Sequence, residues 1–235
     1  MKLLRIIKQS VPNTITCLNM ISGCLATVFA FHYNETFGTL LGYQWAFLLI
    51  GMATLFDFCD GLSARLLHAY SAIGKELDSL ADLISFGFAP AALIYNAMVL
   101  NEADWIACVA FVVVAFGGLR LAKFNVDDSQ TTSFRGLPIP SNAIFWIGTI
   151  AWIEAHFYPA HWVMIALILV TSYLMVCDLR MFSLKVKSLA WKGNERRYIL
   201  ILLTIIGIVL FQVEALAYAI ILYLLLSLTT PKSEQ

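Results

Sequence analysis

Residues 42–65 read GYQWAFLLIGMATLFDFCDGLSAR and residues 77–100 read LDSLADLISFGFAPAALIYNAMVL. Each run is long enough to cross a bilayer, for which about 20 mostly apolar residues suffice. Each also carries two aspartates near the end that faces the short link between them, Asp57 and Asp60 on one, Asp78 and Asp82 on the other. Ionisable groups inside apolar runs are expensive, so they mark function, and the rest of the chain is read around them.

The composition agrees with a membrane reading. Of the 235 residues, 60% are hydrophobic and 13% charged, against roughly 45–50% apolar residues in an ordinary globular domain. No soluble surface can be built from that. The 15 Lys and Arg equal the 15 Asp and Glu, which excludes the basic excess of a nucleic-acid wrapper and the one-signed charge of a disordered chain. No nucleic-acid partner is expected. Cys17, Cys24, Cys59, Cys108 and Cys177 are odd in number and lack C-x-x-C spacing, so they read as small buried thiols, not zinc ligands or a redox pair.

Polar and Pro/Gly breaks delimit six long apolar runs, residues 14–33, 42–65, 77–100, 105–123, 142–156 and 162–178. Two shorter ones, 198–211 and 215–228, are parted by Gln212-Val213-Glu214. The expectation is an all-α integral membrane bundle of about eight spans in a single membrane domain. Residues 1–178 form its core, 179–197 a basic segment lying on the membrane surface, and 198–228 a helical hairpin. Folded this way, every Lys and Arg falls on one side, and the opposite loops carry Glu35, Glu102, Asp104, Glu154 and Glu214. The asymmetry predicts cytosolic termini in a prokaryotic cytoplasmic membrane. Arg5, Lys8 and Ile21-Ser22-Gly23-Cys24 resemble a lipoprotein leader, but Pro12, Asn13, Thr16 and Asn19 make a poor apolar core for one, and the first run is read as a span.

On a helix of 3.6 residues per turn, Asp57, Asp60, Gly61 and Ala64 share one face, and Asp78 and Asp82 share another below Gly74. A short link lets the two faces meet. Four converging carboxylates repel one another unless divalent cations with all-oxygen ligands hold them ionised. The pattern reads as a two-metal site for phosphate chemistry, with Mg²⁺ or Mn²⁺ favoured over zinc because the cluster has neither His nor Cys. Gly61 and Ala64 leave room for a flat base and a pyrophosphate, and Arg65 and Lys75 add phosphate-binding charge.

Asp57-x-x-Asp60-Gly61-x-x-Ala64-Arg65, eight residues, then Gly74-x-x-x-Asp78-x-x-x-Asp82 resembles without a departure the signature of the CDP-alcohol phosphatidyltransferases, eight fixed positions over 26 residues. The resemblance implies a homodimeric integral membrane enzyme with a six-helix core, which uses an alcohol to displace CMP from a CDP-linked lipid. It implies that Asp57, Asp60 and Asp78 hold the metals. It makes Asp82 the general base on the acceptor hydroxyl, in touch with a metal as well. Asn13, Thr16, Asp60, Gly61, Ala64, Arg65, Gly74 and Lys75 become the expected CDP-lipid contacts.

Three further stretches resemble the branch of this family whose acceptor is L-serine: Pro12-Asn13-Thr14-Ile15-Thr16-x-x-Asn19, Ser85-Phe86-Gly87-Phe88-Ala89-Pro90-Ala91 and Phe134-Arg135-Gly136-Leu137-Pro138-Ile139-Pro140-Ser141. Serine brings a carboxylate and an ammonium, so its pocket needs a fixed cation. Arg120, Lys123 and Arg135 gather near the ends of the fourth and fifth runs, with Asn125 just past the fourth helix. The expected reaction is attack of the serine hydroxyl on the lipid-side phosphorus of CDP-diacylglycerol, with Asp82 taking the proton. No Ser, Cys or His stands beside a base in the motif, which favours direct displacement over a phosphatidyl-enzyme, and His68 reads as interfacial. The chain lacks His-x-Lys, which excludes the phospholipase-D-like route. Two other readings stand beside this one. A sibling enzyme acting on glycerol 3-phosphate or inositol phosphate would want more cations. A cation transporter would want charge continuing outward from the aspartates, and the sequence has none there.

Overall fold

The computed structural model describes residues 2–126, 134–182 and 194–229. By internal packing the chain divides into two units, Met1–Leu121 and Ala122–Gln235.

The first unit opens with α1 (Lys2–Phe31), a two-residue hairpin β1 (Thr36–Phe37) and β2 (Leu40–Leu41), and α2 (Gly42–Leu66). The hairpin turns at Gly38, whose φ of 67° suits a residue without a Cβ. The second helix starts hard against the end of the first. A Cβ on Gly42 would strike the carbonyls of Phe29 and His32, and the Gly42 N–H donates to Glu35 O at 2.9 Å. From there α1 packs along α2, with Ala26 and Ala30 on one helix and Ala46 and Ala53 on the other fully buried, the small residues that let membrane helices approach closely.

Helix α2 ends where His68 takes a left-handed backbone conformation (φ 50°) and the Ala69 N–H donates to Ala64 O at 3.0 Å. Two residues later Ser71 Oγ accepts from the Gly74 N–H at 3.0 Å and caps α3 (Ala72–Asp82). Stop and start signals this close make a tight link between the aspartate-bearing helices. Helix α3 runs through a π-helical turn, Leu83–Phe88, into α4 (Ala89–Val99). The widening lies just before Pro90, which lacks the N–H that would pair with Phe86 O. Ser85, within this turn, donates its hydroxyl to Asn19 O at 2.9 Å and sits against Gly23 of α1, where any Cβ would collide with the Ser85 main chain. A 3₁₀ stretch, Asp104–Phe111, leads into α5 (Val112–Val126), within which the unit boundary falls. Asn125, expected past the end of this helix, is a helical residue, since nothing in Phe124-Asn125-Val126 breaks the backbone.

The second unit holds α6 (Ile139–Ala155), α7 (His161–Val176), α8 (Glu195–Phe211) and α9 (Ala215–Leu228), with β3 (Phe134–Arg135) paired to β4 (Arg180–Met181). Pro140 lies in the first turn of α6, where its missing N–H costs nothing. Helices α6 and α9 touch closely at Gly148, where a Cβ would meet the Ala217 main chain. A Cβ on Gly207 would lie 3.3 Å from that of Ala215, whereas eight residues of straight helix span about 12 Å. The chain therefore folds back at Gln212 (φ 50°), and α8 and α9 form the expected hairpin. The basic surface segment expected over 179–197 lies mostly outside the described residues.

Among the described residues the nine helices run together into seven continuous helical stretches, five of them long and apolar enough by length and composition to cross a membrane: Ser10–Phe31, Gly42–Leu66, Ala72–Val99, Asp104–Val126 and Glu195–Leu228, the last folded back on itself at Gln212. The protein is an all-helical integral membrane protein with several spans. Eight separate crossings is a finer statement than these lengths give, because α6 and α7 have 17 and 16 residues and the legs of the hairpin 17 and 14. Trp105 and Trp162 are exposed near helix starts, as aromatic residues are at membrane boundaries. The thiols depart from expectation: Cys17, Cys24, Cys59 and Cys108 are exposed and Cys177 half-buried. On a lipid-facing helix surface an apolar thiol gains nothing from burial.

Candidate active site

The two aspartate-bearing helices do face one another. One carboxylate oxygen from each of Asp57, Asp60 and Asp78 can be chosen so that all three lie within 4.8 Å of one another. At that separation each unneutralised pair costs on the order of 3 kcal/mol at an effective dielectric of ~20. Asp57 and Asp78 are half-buried, and Asp60 is 5% exposed. Asp82, one turn beyond Asp78, is buried beside them. It is within hydrogen-bonding reach of Asp57, while its Oδ1 has no hydrogen-bond partner among the described residues. The charge of Arg120, on α5, acts on Asp82.

A cavity of about 210 Å³ opens beside the cluster. Pro12, Asn13 and Thr16 of α1, Asp60, Gly61 and Ala64 of α2, and Gly74, Lys75 and Asp78 of α3 line it, together with Ala69, Tyr70 and Ser71 of the link. A Cβ on Gly61 would meet only Arg65 Nη1 at 3.9 Å, so the absent side chain is open volume. Gly74 is tighter, its hypothetical Cβ lying 3.0 Å from both Asn13 Oδ1 and Ser71 Oγ. Of the residues expected to contact a CDP-lipid, Arg65 stands apart, exposed and outside the lining. Thr16 does more than line the space. Its hydroxyl donates to Asp60 Oδ2 at 2.6 Å.

This arrangement, paired acidic helices around an open slot, lies within the part of the chain that matches a known family. Residues 9–174 match the CDP-alcohol phosphatidyltransferases. The chain belongs to this family. Over 131 residues it is 39% identical to the CDP-diacylglycerol–serine O-phosphatidyltransferase of Bacillus subtilis (strain 168), a match that covers 55% of this chain and 69% of that protein. A protein of the same name from Helicobacter pylori (strain ATCC 700392 / 26695) is 30% identical over 219 residues, 91% of this chain and 87% of the relative. Another from Mycobacterium leprae (strain TN) is 34% identical over 151 residues, where the match spans about half of the relative, 47% of its length.

The donor set fits the cation that such a transferase implies. The Asp57, Asp60 and Asp78 carboxylates can hold a metal ion, and hard oxygen donors without sulfur or imidazole suit a magnesium-like ion. The buried, unpartnered Asp82 Oδ1 offers one further acceptor at the same place.

The residues expected to recognise an acceptor divide. Arg120 is buried and acts on Asp82. Lys123 Nζ donates to Val176 O at 3.3 Å, the last residue of α7, as a basic side chain does at a helix C-terminus. Arg135 Nη1 lies 4.0 Å from Asp178 Oδ1 in an exposed pair, and Asn125 is half-buried. Sequence reasoning missed the link residues Ala69, Tyr70 and Ser71. Ser71 had a legible signal as a cap ahead of a helix start, whereas nothing in the sequence turns Tyr70 toward the cavity.

Proposed function

We propose that the chain is a phosphatidylserine synthase, transferring the phosphatidyl group of CDP-diacylglycerol to the hydroxyl of L-serine with release of CMP. The observation that carries this is the convergence of Asp57, Asp60 and Asp78 beside the slot over Gly61. The relatives named as serine transferases over up to 91% of the chain support the acceptor.

In this reading Asp57, Asp60 and Asp78 hold two divalent cations, Mg²⁺ or Mn²⁺, with Asp82 in touch with them. Bound cations supply Lewis-acid stabilisation of the pyrophosphate and of the charge that develops on transfer. Asn13, Thr16, Gly61, Ala64 and Gly74 shape the slot for the cytidine and pyrophosphate, and Lys75 faces the phosphates, with Arg65 at the rim. Asp82 accepts the proton of the serine hydroxyl as that oxygen attacks the lipid-side phosphorus, and CMP departs. Arg120, next to Asp82 electrostatically, suits the serine carboxylate. The contacts of Lys123 and Arg135 give them less weight as acceptor ligands, and Asn125 is kept beside Arg120 on the same helix. The enzyme is further proposed to be a homodimer crossing the prokaryotic cytoplasmic membrane about eight times, its termini and active site on the cytosolic side.

The test is CMP release from CDP-diacylglycerol by purified protein supplied with serine, glycerol 3-phosphate or inositol phosphate. Serine alone should sustain turnover. Turnover with a phosphorylated alcohol in its place would make the protein a sibling transferase.

A further inference from the structure

Asp60 projects from the penultimate turn of α2 with 5% of its surface exposed. Its neighbour Gly61 supplies a main-chain N–H, which cannot tie the carboxylate to anything outside its own helix. Among the described residues, the side chain that reaches it from another helix is Thr16, 44 positions earlier, whose Oγ1 lies 2.6 Å from Asp60 Oδ2. The same hydroxyl is 3.0 Å from Pro12 O, one turn back along α1. A hydroxyl has one proton to give, and the shorter contact, to the acceptor that carries charge, is the stronger claim on it.

We infer that Thr16 is a positioning residue for the acidic cluster: by holding Asp60 from α1, it fixes the orientation in which that carboxylate faces Asp57 and Asp78, and so sets the cluster's affinity for a divalent cation. This inference rests on the metal reading of the cluster given above. It assigns Thr16 work on Asp60 in place of direct contact with the CDP-lipid. The hydrogen bond is not needed to dock the helices, because α1 and α2 already meet through buried alanines and the close approach at Gly42. Groups that orient metal-binding side chains typically change affinity by ~10–100-fold when removed.

The experiment compares Thr16→Val, which keeps the shape and removes the proton, with Thr16→Ser, which keeps the proton, in full-length purified protein. Mn²⁺ binding is measured by calorimetry without substrate, and thermal unfolding is measured without metal. Thr16→Val should weaken Mn²⁺ binding about 10-fold or more while metal-free unfolding stays a single cooperative transition, and Thr16→Ser should stay within about twofold of wild type in Mn²⁺ binding. Should Thr16→Val fail to fold, Thr16→Ala carries the same expectation. Wild-type affinity in Thr16→Val, or equal losses in the valine and serine variants, would overturn the inference and leave the metal reading intact. Wild-type protein that binds Mn²⁺ no better than Asp78→Asn would overturn the metal reading and the inference together.

Discussion

The link-side ends of α1, α2 and α3 and the hairpin of α8 and α9 are both helical and both apolar overall, yet they are specified differently. At the first, neighbouring positions have separate tasks: His68 ends a helix, Ser71 starts one, Gly61 leaves a space and Thr16 holds a carboxylate. At the second, α8 buries Leu200 alone among its described residues, and Val209 is 76% exposed. Where polar atoms lie in an apolar setting, each must find a partner in space, and that demand fixes residues one by one. Where a helix faces lipid, apolar composition is enough.

The sharpest break in this contrast is loss of a carboxylate. Asp57→Asn, Asp60→Asn or Asp78→Asn should each lower CMP release by at least ~10³-fold and weaken Mn²⁺ binding, since each removes a charged oxygen ligand. Three variants with unchanged metal affinity would remove the cluster from the mechanism.

Asp82→Asn should come next, with a loss of ~10²–10⁴-fold in rate at nearly unchanged affinity for CDP-diacylglycerol, as for a missing general base. Binding must be measured without turnover. A loss of lipid and metal affinity as deep as that of Asp78→Asn would make Asp82 a ligand.

The glycines of α2 give a smaller and more local comparison. Gly61→Leu should fill the slot and weaken CDP-lipid binding at least ~10-fold, while Gly51→Leu, which has nothing within 4 Å of its hypothetical Cβ, should leave binding and unfolding alone. Equal affinities would mean that the slot over Gly61 does not take the nucleotide.

The smallest effects belong to the second unit. Gly148→Leu forces a side chain against the Ala217 main chain and should destabilise by about 1–3 kcal/mol, visible as a lower unfolding midpoint, whereas Val209→Leu should change nothing measurable. A destabilised Val209→Leu would show that α8, the exposed leg of the hairpin, is also specified residue by residue.

The acidic site was legible because its constraints are local: charge or smallness at intervals set by the helix period, on two runs joined by a short link. What crosses between helices was not. Thr16 and Asp60 are 44 positions apart, and no spacing rule relates residues on different helices. Ser85 belonged to a stretch read as a marker of the serine acceptor, and in the fold its hydroxyl holds α1 by a main-chain oxygen. Lys123 and Arg135 show the limit for charges, since a cation near a helix end looks the same in sequence whether it meets a substrate or a carbonyl. Hydropathy located the helices, but α6 and α7, with 17 and 16 residues, lie at the short end of what crosses a bilayer, so apolar content alone does not count the crossings.

The contact of Gly23 with Ser85 has a mechanical consequence. It presses α1 against the π-helical turn at one point, while the cavity-lining residues Pro12, Asn13 and Thr16 lie further along the same helix. From Gly23 to Pro12 is about 16 Å of helix at 1.5 Å per residue. The contact is thus a fulcrum and the N-terminal half of α1 a lever arm. A tilt of about 5° there, small for a packed helix, carries Pro12 roughly 1.4 Å across the mouth of the slot. The same tilt would shift Thr16, about 10 Å from the fulcrum, by roughly 0.9 Å relative to Asp60, so their hydrogen bond resists the swing and helps the slot keep its width.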